Sequence, residues 1–212
     1  MQSVIWDWNG TLLNDIELCI SSINTLLANR NLKTLDSRLY KEVFSFPVKD
    51  YYAAVGFDFS REDFSIPAKE FIDLYDKGVA RCTLHAEAGE ILSQFKEAGK
   101  KQYVLSAMKQ EMLNTTLKHQ KIHHYFDAVY GLDDHYAVSK IERGKQMIHE
   151  SGIQKKEAVI IGDTIHDFEV ANELGIACIL IANGHQSKER LQTTGAPVVA
   201  NLQELMKLEL FA

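Results

Sequence analysis

Residues 4–13 read VIWDWNGTLL, and two readings compete for them. Asn9-Gly10 between apolar runs is a strong hairpin signal, because both residues tolerate the positive φ of a type I′ turn. The alternative makes Val4 to Trp6 a buried strand that delivers Asp7 to a site, with Gly10 turning the chain toward a helix. The residues that follow favour the second reading. Ile16, Cys19, Ile20, Ile23, Leu26 and Leu27 recur at three- and four-residue spacing, with Asn14 or Asp15 as N-cap.

From about Ala86 onward the chain alternates. Glu87 to Ala98 reads as a helix stopped by Gly99, Tyr103 to Leu105 as a short apolar strand and Lys109 to His119 as a helix. Ala128 to Tyr130 is a second strand, and Ile141 to Glu150 is a helix ended near Gly152. A strand at Ala158 to Ile161, a helix from Asp167 to Leu174 stopped by Gly175 and a strand at Cys178 to Ile181 come next. Val198-Val199 and a helix from Leu202 close the series. Short, wholly apolar strands between helices are the sequence form of a parallel sheet covered on both faces, so a doubly wound, Rossmann-like α/β core is expected. Residues 14–85 break the alternation, with apparent helices, many aromatics, Pro47 and Pro67. They are expected to form a smaller all-helical domain inserted after the first strand, the core being residues 1–13 and 86–212.

Composition narrows the function classes. The 212 residues are 46% hydrophobic and 25% charged, ordinary for a soluble globular protein. A formal net charge of −6 without a dense Lys/Arg run argues against a nucleic-acid partner and for a small ligand. Cys19, Cys82 and Cys178 are odd in number and lack CxxC spacing, which points to neither a disulfide framework nor a zinc site and fits a reducing cytoplasm. The longest apolar run, Ala177 to Ala182, is too short to span a bilayer, so no membrane partner is expected. A monomer or homodimer is the expected assembly.

In an open α/β sheet, ligands sit at the carboxyl ends of the strands. Asp7 follows the first apolar run, Ser106 the second and Asp163 the run Val159-Ile160-Ile161-Gly162, with Asp167 four residues on; Lys140 lies in the polar stretch before a helix. These groups suit phosphoryl transfer. A carboxylate such as Asp7 can attack phosphorus to form an aspartyl-phosphate. Mg²⁺ held by Asp7, Asp163 and Asp167 would offset the repulsion between two anions, while Ser106 and Lys140 would hold the remaining phosphate oxygens.

At these residues the sequence resembles the haloacid dehalogenase superfamily, phosphoglycolate-phosphatase-like branch. Asp7-Trp8-Asn9-Gly10-Thr11 is similar to its Asp-x-Asp-Gly-Thr loop and Leu105-Ser106 to its strand ending in Ser or Thr. Lys140 is similar to its isolated Lys, although Lys145 competes, and Gly162-Asp163-Thr164-Ile165-His166-Asp167 to its Gly-Asp-x-x-x-Asp motif. The resemblance spans essentially the whole chain and implies a helical cap over the active site at residues 14–85. It implies a Mg²⁺-dependent phosphomonoesterase acting on a small phosphorylated metabolite of the phosphoglycolate class. Asp7, Asn9, Ser106 and Lys140 are then the catalytic residues, Gly10, Thr11, Ser106, Ala107 and Lys140 the substrate contacts, and Asp7, Asn9 (through its backbone carbonyl), Asp163 and Asp167 the metal ligands.

One position departs from the pattern. Most phosphatases of this family carry Asp where this chain has Asn9, and Asn has no carboxyl proton to give a leaving oxygen. Losing a general acid and base costs a factor of about 10² to 10⁴. His166 is the nearest substitute by sequence, and His135 and His185 lie in loops near strand ends. Three alternatives follow. One is a catalytically weakened metal- and phosphate-binding protein. A second is a dehalogenase, against which the acidic Gly162-Asp163 motif speaks. A third is a phosphonate hydrolase drawing a Schiff-base Lys from Lys33, Lys41, Lys49, Lys69 or Lys77. Trp6 reads as core, and Phe44, Phe46, Tyr51, Tyr52, Phe57 and Phe59 as the insertion's own small core, with one or two lining the substrate site.

Overall fold

The computed structural model describes residues 1–132 and 140–208. The first strand, Ser3–Trp6 (β1), has every residue buried, as the apolar run Val4 to Trp6 requires. The chain then turns at Gly10 and forms Leu13–Asn14 (β2), which pairs antiparallel with Thr83–Leu84 (β3). Between the halves of this ribbon lie four helices: Ile16–Asn29 (α1), Ser37–Val43 (α2), Val48–Ala54 (α3) and Ser65–Gly78 (α4). Two-residue strands show no period in sequence, so the ribbon was not legible there.

The alternation after β3 is Ala88–Glu97 (α5), Lys101–Lys109 (β4), Gln110–His119 (α6), Ala128–Leu132 (β5), Lys140–Ser151 (α7) and Ala158–Gly162 (β6). Ile165–Leu174 (α8), Ala177–Ile181 (β7), Lys188–Gln192 (α9), Val198–Val199 (β8) and Leu202–Leu205 (α10) follow. The six long-range strands form one sheet in the order β5-β4-β1-β6-β7-β8, with every pairing parallel. The expected doubly wound core is therefore observed. Strand β4 runs past the expected Tyr103 to Leu105 at both ends, and at its start a buried polar residue is tolerated. Gln102 accepts the Trp6 indole N–H at 3.1 Å and donates to the Leu92 carbonyl at 2.8 Å.

The two-residue period of the strands sorts their side chains to opposite faces. Val4, Trp6, Val104, Val159 and Ile161 join Ile91, Phe95, Leu113 and Leu202 on one side, a cluster that continues into the inserted helices through Ile20, Leu27 and Tyr52. Ile5, Leu105 and Ile160 face Met147, Val170 and Leu174 on the other. Each such side chain contributes roughly 1.5–3 kcal/mol when fully buried.

This topology positions the site. From β1 the chain runs outward through β4 to β5, and later through β6 to β8 on the other side, so the strand order reverses around β1. The carboxyl ends of β4, β1 and β6 flank that reversal, where loops diverge and leave room for a ligand. Among the described residues no helix is long and apolar enough to cross a membrane.

Candidate active site

Parallel register brings Trp6 level with Val104 of β4 and Ile161 of β6, so Asp7, Ser106 and Asp163 emerge side by side although far apart in sequence. Ligand atoms of Asp7, Asp163 and Asp167 all lie within 4.8 Å of one another, and all three residues are buried. Asp167 comes from the first turn of α8, where it forms a capping box with Thr164: the Thr164 hydroxyl and N–H donate to its Oδ2 at 2.7 and 3.0 Å. Its other oxygen accepts from Lys140 Nζ at 2.5 Å, and the same ammonium donates to Asp7 Oδ1 at 2.5 Å. Lys145 instead pairs with Glu142 at 2.7 Å on an exposed turn, which leaves Lys140 as the lysine of the site.

Burial dominates the electrostatics here. It pushes the Asp7 carboxyl up, against the pull of Lys140 and with the further push of Asp167 and Asp163. Burial also raises Asp163. For Asp167 burial is outweighed by Lys140 and Thr164, which hold its carboxyl below the usual range.

A second group of residues adjoins the first. Asp15 stands at the N-cap position of α1, yet its side chain makes no capping hydrogen bond. Its carboxylate turns inward and accepts from the Gly10 N–H at 2.9 Å, from Asn9 Nδ2 at 2.7 Å and from the Tyr75 hydroxyl at 2.7 Å. His185 Nε2 lies 3.3 Å from Asp15 Oδ1, its backbone N–H donates to Asp163 Oδ2 at 2.6 Å, and its Nδ1 meets the Tyr40 hydroxyl at 3.0 Å. Burial alone would lower His185, but Asp15 outweighs it and raises the imidazole to about 9. The same pair, with help from Tyr75 and Asn9, holds Asp15 low against its own burial.

The linkage has a definite sign. A histidine raised from 6.5 to about 9 contributes stability that is complete below pH 6.5 and is lost as pH climbs through 9, in total about 3 kcal/mol. The stability gap between the wild type and His185→Gln, measured by urea unfolding, should therefore narrow between pH 7 and pH 10.

Four carboxylates, Asp7, Asp15, Asp163 and Asp167, face two cations, Lys140 and an ionised His185, all of them buried. The oxygens of Asp7, Asp163 and Asp167, converging within 4.8 Å of one another, form a donor set that fits a divalent hard cation. The model of the haloacid dehalogenase-like hydrolases matches residues 4–181. The chain belongs to that family.

Among individual relatives of this hydrolase, phosphoglycolate phosphatase of Caulobacter vibrioides is 26% identical over 205 residues, covering 93% of this chain and 85% of that one. A haloacid dehalogenase-like family hydrolase from Streptococcus pneumoniae superposes with a TM-score of 0.84 at 20% identity, covering 98% and 97% of the two chains. Protein tyrosine kinase A of Mycobacterium tuberculosis superposes at 0.82, also at 20% identity, over 97% and 96%. The family resemblance read from the motifs, and the expectation of an enzyme of hydrolase type, are both borne out.

The hydrolase brings Asp7, Lys140, Asp163 and Asp167 into direct or near contact, with Ser106 beside them by register. The Ser106 hydroxyl accepts the Met108 N–H at 3.1 Å, which leaves its O–H to donate. Half-buried Ala107 follows it. Thr11 and Gly10, expected to touch substrate, are both against Asp163: the Thr11 hydroxyl donates to Asp163 Oδ1 at 2.7 Å, and a Cβ at Gly10, whose φ is +74°, would collide with the Asp163 carboxylate and the His185 ring. His166 stacks on Phe46 at 4.7 Å and pairs with Glu169 at 3.4 Å. His135 lies outside the described residues. Lys69 pairs with Asp73, Lys49 lies over Phe59, and Lys33 and Lys77 are exposed.

Sequence reasoning missed Asp15, Tyr75 and Tyr40. Asp15 read as an ordinary N-cap; the replacement at Asn9, which removes a carboxylate from the loop, was the local hint to a second acidic residue beside it. The two tyrosines carried no signal, because a buried tyrosine in an aromatic-rich helix looks like core. The helical segment is also clasped to α9 and to the loop that leads into it. Arg190 Nη1 donates to the Lys41 and Phe44 carbonyls at 2.9 and 2.7 Å, and Gln186 Nε2 to Phe44 at 2.9 Å.

Proposed function

We propose that this hydrolase cleaves phosphomonoesters of small organic molecules through an aspartyl-phosphate on Asp7, with the phosphoglycolate class, named for its Caulobacter relative, as the first substrates to test. The observation that carries the reading is the convergence of Asp7, Lys140, Asp163 and Asp167 at adjacent strand ends. Asp7, Asp163 and Asp167, with the Asn9 carbonyl, would hold Mg²⁺. When bound, the ion supplies the positive charge that lets a carboxylate approach a phosphate dianion. Lys140 and Ser106 hold phosphate oxygens and stabilise the charge that builds on them. An Asp7 oxygen bonds to phosphorus as the ester P–O bond breaks. The leaving oxygen keeps that electron pair and takes its proton from water, since the Asn9 carboxamide has none to give. Water then attacks phosphorus, the bond to Asp7 breaks, and one water proton stays on phosphate while the other passes to solvent. The helical segment 14–85 acts as a cap that encloses the substrate while the bond to Asp7 forms and lets water reach the leaving oxygen and the phosphorus afterwards.

Phosphate release from a panel of small phosphomonoesters, with and without Mg²⁺, tests the reading. Release that depends on Mg²⁺ supports it, whereas metal and phosphate binding without turnover would mark a protein that only binds. Ion uptake has its own expected readout. Mg²⁺ at about 100 times its dissociation constant should stabilise the fold by roughly 2.7 kcal/mol, a rise in Tm of about 5–10 °C for a chain of this size. Asp163→Asn should abolish the rise in a calorimetric scan.

A further inference from the structure

We infer that Asp15 is a positioning residue which locks the Asn9 carboxamide with its nitrogen inward, making Asn9 Oδ1 a fixed hydrogen-bond acceptor toward substrate or the attacking water. The inference rests on the phosphatase reading above and names how its departure at position 9 is accommodated.

The hydrogen-bond inventory determines the amide's orientation. Asn9 Nδ2 lies 2.7 Å from Asp15 Oδ2 and 2.6 Å from the Tyr75 hydroxyl oxygen. Asp15 accepts the Gly10 N–H on Oδ1 and the Tyr75 hydroxyl on Oδ2, so both of its oxygens act here as acceptors. The single Tyr75 proton is directed to Asp15 Oδ2 at 2.7 Å, so the tyrosine oxygen must accept from Asn9. Both neighbours therefore require a donor, and only the NH₂ end of the amide satisfies them. Its two N–H groups are engaged, and the carbonyl end is what Asn9 has left to offer. Asp15 also accepts the N–H of Gly10, the next residue in the loop, and is 1% exposed. One buried carboxylate thus holds the catalytic loop at two consecutive residues, and His185 faces its other oxygen at 3.3 Å.

The arrangement makes a counterintuitive demand on the variant that restores the family's usual residue. In Asn9→Asp, a carboxylate would face Asp15 Oδ2 and a tyrosine oxygen whose proton is already committed, so three acceptors would meet with one proton between them. The cost of such a buried mismatch exceeds that of a missing bond. Exchanging the two residues, Asn9→Asp with Asp15→Asn, returns one carboxylate and one amide to the same contact.

A double-mutant cycle tests this. Asp15→Asn alone should lower kcat roughly 10- to 100-fold, the usual cost of losing a group that orients a site ligand. Asn9→Asp alone should lower kcat and Tm rather than raise them. The exchanged pair should exceed the product of the single effects by about 10-fold or more in kcat, and should recover most of the lost Tm. The inference is overturned by an Asn9→Asp enzyme that outpaces the wild type, or by single effects that simply multiply. A residue that merely filled space would give additive losses. If neither the wild type nor any variant turns over, the phosphatase reading fails by itself. The cycle is then read in the affinity for inorganic phosphate with Mg²⁺ and in Tm, and additivity in both sinks the pairing.

Discussion

Asp7→Asn should abolish phosphate release, by about 10⁴-fold or more, because the proposed reaction has no first covalent step without a carboxylate oxygen to attack phosphorus. The substitution should not unfold the chain. Burial and two neighbouring carboxylates push the Asp7 acid up, so in the absence of metal its ionised form at neutral pH costs the folded state free energy that an amide would not. The sign follows from linkage: a carboxyl raised by folding destabilises above its unfolded value of 3.8, and the penalty disappears as pH falls. Asp7→Asn should therefore melt at or above the wild-type temperature in EDTA while showing no turnover. A variant that is inactive but less stable would mean that the Lys140 contact to Asp7 outweighs desolvation. A variant that retains turnover would remove Asp7 from the nucleophile's role.

Lys140→Ala should lose both activity and stability. Lys140 is the one cation in direct contact with the three-carboxylate group among the described residues, and it is 5% exposed, bonded to Asp7 and Asp167 at 2.5 Å each. Removing one member of a buried ion pair leaves charge without compensation and costs about 3–5 kcal/mol. Without the ammonium, Asp167 loses the largest of the influences that hold it low and keeps the Thr164 hydrogen bond against its burial, so its ionised form becomes more costly. The deficit should consequently shrink on acidification, as protons replace the missing cation, and should shrink again when Mg²⁺ is added at neutral pH. Turnover should fall by about 10²–10³, the usual loss when one preorganised group is withdrawn from a developing charge. Urea unfolding at pH 5 and pH 7.5, with EDTA or with Mg²⁺, checks the stability part. A deficit independent of pH and of metal would point to lost packing by the lysine stem instead.

Both expectations use residues that were legible in the sequence. Asp7, Asp163 and Asp167 could be found because strands buried on both faces read as short apolar runs, and the residue after such a run must lie at the carboxyl edge of the sheet. Lys140 was found less securely, since a lysine before a helix has no local feature that separates it from Lys145. Only the ion pairs with Asp7 and Asp167, against a solvent-facing pair with Glu142, distinguish them. His166 looked the better histidine because it sits inside the acidic motif. A helical residue next to a ligand-bearing one points about 100° away from it, and here His166 meets Phe46 and Glu169. His185 was the less conspicuous candidate. It reaches the site because the loop after β7 folds back over Asp163.

By itself the sequence determined the α/β class, the strand-end carboxylates and the place where helices interrupt the core, since all of these follow from local periodicity and from which residue ends an apolar run. The tertiary structure alone decided the rest: which lysine serves the carboxylates, which way the Asn9 amide faces, and that Asp15, Tyr75, Tyr40 and His185 form one buried network. Those facts depend on side chains from different elements competing for the same few donors and acceptors in a space without water. No spacing along a single stretch of chain encodes the outcome of that competition.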